Sequence, residues 1–148
     1  MSINDIIDRF KIGKAPAKSH MRNLIEIAGA DGSLGEEEKR LLRLAAIRNN
    51  ISELELKDIQ DNASGVRFEV PGNENVKFNQ LYDLVHMMSV DKDIHGEELR
   101  LCEIFAIKFG YRKEVVREMI ALIRENIEKW QGPKETMQAV LRELKVYD

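Results

Sequence analysis

Cysteine is nearly missing from this sequence: Cys102 stands alone, so no internal disulfide can form. A basic excess is missing too. With 23 Lys and Arg against 26 Asp and Glu, the formal net charge of −3 leaves no global field to hold a phosphate backbone, and a nucleic-acid partner is not expected. No apolar run approaches the ~20 residues that span a bilayer. Met1 leads into an amphipathic polar segment rather than a basic stretch and an apolar signal core, so the expected location is the cytoplasm, with no membrane span. The chain also lacks a Ser/His/Asp order, a glycine-rich phosphate loop, a nucleotide fingerprint and the close Cys or His pairs that announce zinc. No nucleophile stands out, and the expectation is a protein that is not an enzyme.

What is present is a repeated acidic turn. Hydrophobic residues at 43% and charged residues at 33% of the 148 positions exclude a disordered chain and suit one compact domain over residues 1–148. Within it Ala30-Asp31-Gly32-Ser33-Leu34-Gly35-Glu36-Glu37-Glu38 returns sixty residues later as Val90-Asp91-Lys92-Asp93-Ile94-His95-Gly96-Glu97-Glu98. The same ungapped offset pairs Leu24 with Leu84, Ile25 with Val85, Ala28 with Met88, Leu41 with Leu101, Leu44 with Ile104 and Ile47 with Ile107. A shared apolar register across a turn and both flanking helices predicts an internal duplication, with repeats at about 21–57 and 81–117.

Asp31-Gly32-x-Leu34-x-x-x-Glu38 followed by an apolar helix resembles the acidic turn of the TerB-like (tellurite resistance protein B) family. The run from Leu81 through Met88 into Asp91, Ile94 and Glu98 is similar to it as well. That resemblance covers roughly residues 21–123 and implies an all-helical fold, acidic residues that hold a divalent cation, and a role in stress or tellurite resistance. The chain departs from the family pattern at Gly35 and His95, and at Lys92, which replaces the second glycine.

Along the chain, Gly13 and Pro16 are expected to break a short amphipathic N-terminal helix, and a second helix runs from Pro16 to about Gly29 with Met21, Leu24, Ile25 and Ala28 inward. Residues 36–49 form a helix with three glutamates at its positive end and Leu41, Leu42, Leu44 and Ala45 as its stripe. Ser52-x-x-Glu55 has the spacing of a capping box and starts the next helix, to about Asn62. The alternating run from Val66 to Pro71 is an extended connector. A helix beginning near Asn73 carries Phe78, Leu81, Leu84, Val85 and Met88, and the one after the second turn carries Leu101, Cys102, Ile104, Phe105 and Phe109 before Gly110 closes it. Periodicity then predicts a helix over 113–130, through Met119, Ile123, Ile127 and Trp130, and a last one after Gly132-Pro133 with Met137, Val140, Leu141 and Leu144 inward. The sum is an all-α fold of seven to eight helices in two duplicated helical-hairpin units.

Asp31, Glu38, Asp91, Asp93 and Glu98 are the candidate metal ligands, because Ca2+ and Mg2+ take hard oxygen donors. Neither turn has the ligand alternation of an EF-hand loop. The same residues also have a structural use: Asp31-Gly32 reverses the chain, and Glu38 and Glu98 in a first helical turn oppose the helix dipole. The function these features point to is a non-catalytic TerB-like module that binds a protein partner, or weakly a divalent cation, through its acidic turns. The alternative is a metal-dependent hydrolase using the clustered carboxylates.

Overall fold

The computed structural model describes residues 3–29, 34–90 and 96–148, with backbone alone for residues 3–14, and its described elements are all helical. In order they are α1 (Ile3–Ala28), α2 (Glu36–Arg48), α3 (Glu53–Asp61), a 3-10 turn (Ala63–Gly65), α4 (Glu74–Ser89), α5 (Gly96–Lys108), α6 (Val116–Glu128) and α7 (Pro133–Glu143). No described helix is long and apolar enough to cross a membrane.

α1 and α4 pack on one another and between them touch all five other helices, so they form the axis of the fold. Their sequences suit that place. From Ser19 to Ala28 the only charged side chains are Arg22 and Glu26, which pair at 3.1 Å on one narrow strip while Met21, Leu24, Ile27 and Ala28 are buried. α4 buries Phe78, Leu81, Leu84, Val85, Met87 and Met88, so apolar surface is removed from water on most of its circumference. The expected break at Gly13 and Pro16 does not occur, and α1 continues through both. An interior proline removes one hydrogen bond at about 3 kcal/mol. Here the segment after Pro16 is buried along most of its length, and that packing offsets the penalty.

Local chemistry sets the remaining boundaries. Ser52 and Glu55 make the reciprocal capping box at the start of α3, with bonds of 3.1 and 3.2 Å. The Asn73 side chain caps α4 by accepting from the Val76 amide at 3.1 Å. α2 and α5 end alike: the Ile51 amide donates to the Ala46 carbonyl at 2.8 Å and the Tyr111 amide to Ala106 at 3.2 Å, with Asn50 and Gly110 at φ +57° and +98° between. This is the six-to-one closure of a left-handed C-terminal cap, at positions sixty residues apart. A Cβ at Gly110 would meet no atom within 4 Å, but φ +98° is a backbone conformation that strains an L side chain, so Gly110→Ala is expected to cost about 1 kcal/mol in a denaturant titration.

Four expected stripes shift. On α2 the buried row is Leu42, Ala45 and Ala46, with Leu41 half-buried and Leu44 and Ile47 facing outward. On α5 it is Cys102, Phe105 and Ala106, with Ile104 and Ile107 exposed. The sequence pairing of 44 with 104 and 47 with 107 therefore joins two outer faces, since only one side of each helix meets the α1–α4 axis. α6 begins at Val116 rather than at 113, because the Val115 amide closes a turn on Arg112, and it ends at Glu128. Trp130 then takes the left-handed cap position at φ +61° and stands 93% exposed rather than continuing the stripe. On α7 Val140 is buried but Leu141 is exposed.

Candidate functional site

Asp31, Asp91 and Asp93 lie outside the described residues. Glu38 and Glu98 are described, and each is the third residue of its helix, α2 or α5. Glu36, Glu37 and Glu97 beside them face solvent, yet Glu38 and Glu98 are only 5% and 3% exposed. The Glu38 Oε1 lies 3.3 Å from the point that a Cβ on Gly35 would occupy, so this carboxylate turns back over the start of α2. That is the posture in which an acidic side chain meets the positive helix end. Among the described residues no group of three His, Cys, Asp or Glu is placed to hold a metal ion.

Cys102 is fully buried, its thiol donating to the Leu84 carbonyl at 3.7 Å. Burial raises its pKa well above the usual thiol range, with Glu98 and Glu103 adding to the shift, so no thiolate is available as a nucleophile. His86 is half-buried, with its ring edge toward Tyr82 at 6.2 Å between centroids. Burial lowers its pKa, against the opposing pull of Asp83. A histidine kept neutral by burial stabilises the fold fully above its ordinary value of 6.5, and that stability is lost as pH falls through the lower folded value. The melting midpoint is therefore expected to drop between pH 7.5 and pH 5, and the drop to shrink in His86→Phe.

A second polar constellation has no motif to announce it. His20 on α1 places Nε2 3.0 Å from Asp83 Oδ2 on α4, and Arg48 at the end of α2 pairs with Asp83 Oδ1 at 3.2 Å. One carboxylate thus ties three helices together. Asn23 on α1 is also fully buried, and among the described residues neither of its side-chain polar atoms has a partner, nor do His20 Nδ1 and Gln80 Oε1. A His–Asp pair orients an imidazole for proton transfer when the other nitrogen faces a reactant. Here that nitrogen is buried and has no partner among the described residues, and the pair ties α1 to α4.

The chain end is held by a third group. Lys77 Nζ lies 4.6 Å from the Tyr147 ring centroid and 5.0 Å from that of Tyr111, and pairs with Glu74 at 3.1 Å. The Tyr147 hydroxyl donates to Glu74, while the Arg112 amide donates to the Val146 carbonyl at 2.8 Å. Burial drives the Tyr147 hydroxyl pKa up, and the hydrogen bond from Tyr147 is the first cause of a lowered Glu74 pKa, with Lys77 second among those acting downward. A depressed carboxylate contributes stability above its unfolded value of 4.5 that is lost as pH falls. Hydrogen-exchange protection factors at residues 144–148, corrected for the intrinsic rate, should therefore fall below that pH, and Tyr147→Phe should reduce the dependence.

No protein-family model matches the chain, and no curated protein or solved structure matches it either.

Proposed function

We propose that this chain is a non-catalytic helical module of the TerB-like kind, working in the cytoplasm in stress or tellurite resistance. Its acidic turns bind a protein partner or, weakly, a divalent cation such as Ca2+ or Mg2+. The observation that carries this reading is the matched pair Glu38 and Glu98, each sunk at the start of the helix that follows an acidic turn while neighbouring glutamates face water. Equal burial at 42 and 102, 45 and 105, and 46 and 106, with the shared cap closures of α2 and α5, supports reading the two hairpins as copies of one unit. The enclosed His20 and the buried Cys102 thiol favour binding over chemistry.

On this reading Glu38 and Glu98 serve the helix starts, and Asp31, Asp91 and Asp93 meet the ion. Glu38→Gln should then lower stability by a few tenths to about 1 kcal/mol, equally with and without calcium. Melting curves of wild type and Glu38→Gln in calcium and in chelator read this directly. A large calcium stabilisation that disappears in Glu38→Gln would make Glu38 a ligand instead.

A further inference from the structure

We infer that the cleft between α2 and α3 is a docking groove for an acidic, apolar-bearing segment of a partner protein. This goes beyond the acidic-turn reading and does not depend on it. The groove holds about 310 Å³, with Leu34, Leu42 and Leu56 on its floor and Lys39 and Arg43 on its α2 wall. Leu42 and Leu56 are buried beneath it, so the floor is recessed between the helices and receives a side chain from outside.

Charge selects the occupant. From Lys39 to Arg48, α2 carries Lys39, Arg40, Arg43 and Arg48 and no carboxylate. Among the described residues Lys39 and Arg40 reach only exposed glutamates of the preceding turn, at 3.5 Å, and Arg48 is spent on Asp83. Arg43 is exposed and makes no ion pair or hydrogen bond among the described residues. One turn on, Ile47 is 71% exposed on the same side of the helix and extends the apolar strip beyond the groove. The α3 wall answers with a single carboxylate, Glu53. An exposed guanidinium over a leucine-lined floor complements a segment with carboxylates flanking one or two large apolar side chains, which is a helix-in-groove mode. A lipid surface is a poorer fit, because membrane binding uses apolar groups that project, and here most are recessed.

The test uses the full chain and a fluorescein-labelled synthetic helix of glutamates with leucines spaced three and four apart, followed by polarisation and by amide shifts. The expected result is saturable binding that weakens as salt rises, with shifts at Leu34, Lys39, Leu42, Arg43, Leu56 and Gln60. The Lys39→Glu/Arg43→Glu variant should lose about tenfold or more in affinity while its melting midpoint stays unchanged. Four outcomes overturn the inference: no binding at the highest soluble peptide concentration, equal binding of a lysine-for-glutamate peptide, shifts confined to other surfaces, or insensitivity to the double variant. Arg43-dependent sedimentation with phosphatidylglycerol vesicles and no peptide binding would assign the surface to membranes. Arg43-dependent dimerisation would assign it to a second copy, and either result also overturns the proposal.

Discussion

Leu81→Ala is expected to lower the unfolding free energy by about 2–5 kcal/mol, the range for a fully buried leucine whose cavity cannot collapse. Leu81 is wholly enclosed on α4, the helix that meets α1, α2, α5, α6 and α7, so no mobile surface element can move in to fill the space. Leu41→Ala and Leu101→Ala should cost less. Both side chains are half-buried on α2 and α5, and water recovers part of the volume removed. Lys145→Ala, on an exposed position, should stay within about 0.5 kcal/mol. Denaturant midpoints rank the four variants, and an unchanged midpoint for Leu81→Ala would mean that the α1–α4 axis is not the core.

Asp83→Ala should be the most damaging polar substitution, at about 2–3 kcal/mol, because it leaves a buried imidazole without its acceptor. The loss falls below that of a fully buried ion pair for a reason visible in the geometry. Arg48 has a side chain 59% exposed and returns to water when its partner goes, whereas His20, at 1%, has nowhere to turn. His20→Phe removes the other side of the same contact while keeping a ring of similar shape. A cycle of the two single variants and the double should give a coupling of about 1 kcal/mol or more between the positions. Additive effects would show that the 3.0 Å contact adds nothing to stability.

The helical class was legible in the sequence because its signals are local. The capping box at Ser52, the Asn73 cap and the Gly110 terminus each depend on residues three to five apart, and each falls where the pattern puts it. α1 was harder to read: a proline ordinarily ends a helix, and only tertiary burial of the following segment reverses that preference. Trp130 failed for the opposite reason. A large apolar side chain at helical spacing reads as core, but the backbone had already turned left-handed at that residue and aimed it at solvent.

The candidate residues divide in the same way. Glu38 and Glu98 were visible as first-turn carboxylates, and their burial gives that reading physical weight. His20, Arg48 and Asp83 were not visible as a group, since their partners are 63 and 35 positions apart in the chain and no spacing rule connects them. One signal was available. The stretch from Ser19 to Ala28 has so few charges that a helix there must be covered on most sides, and a histidine and an asparagine inside such a helix need partners from another element. The basic strip of α2 was equally legible as charge, but the groove beside it exists only because α3 packs back across Leu42 and Leu56.

The most direct measurement of the central reading is a calcium titration of the metal-free full chain, followed by amide chemical shifts. Weak binding in the range of about 0.1–1 mM or above is predicted, as befits turns with few oxygen donors. The shifts should concentrate at Asp31, Asp91 and Asp93 and their neighbours, with only small movements at Leu42 and Cys102 in the core. Absence of shifts at both turns at about tenfold higher calcium, or shifts centred on any other surface, would contradict cation binding at the turns and leave them a protein partner alone.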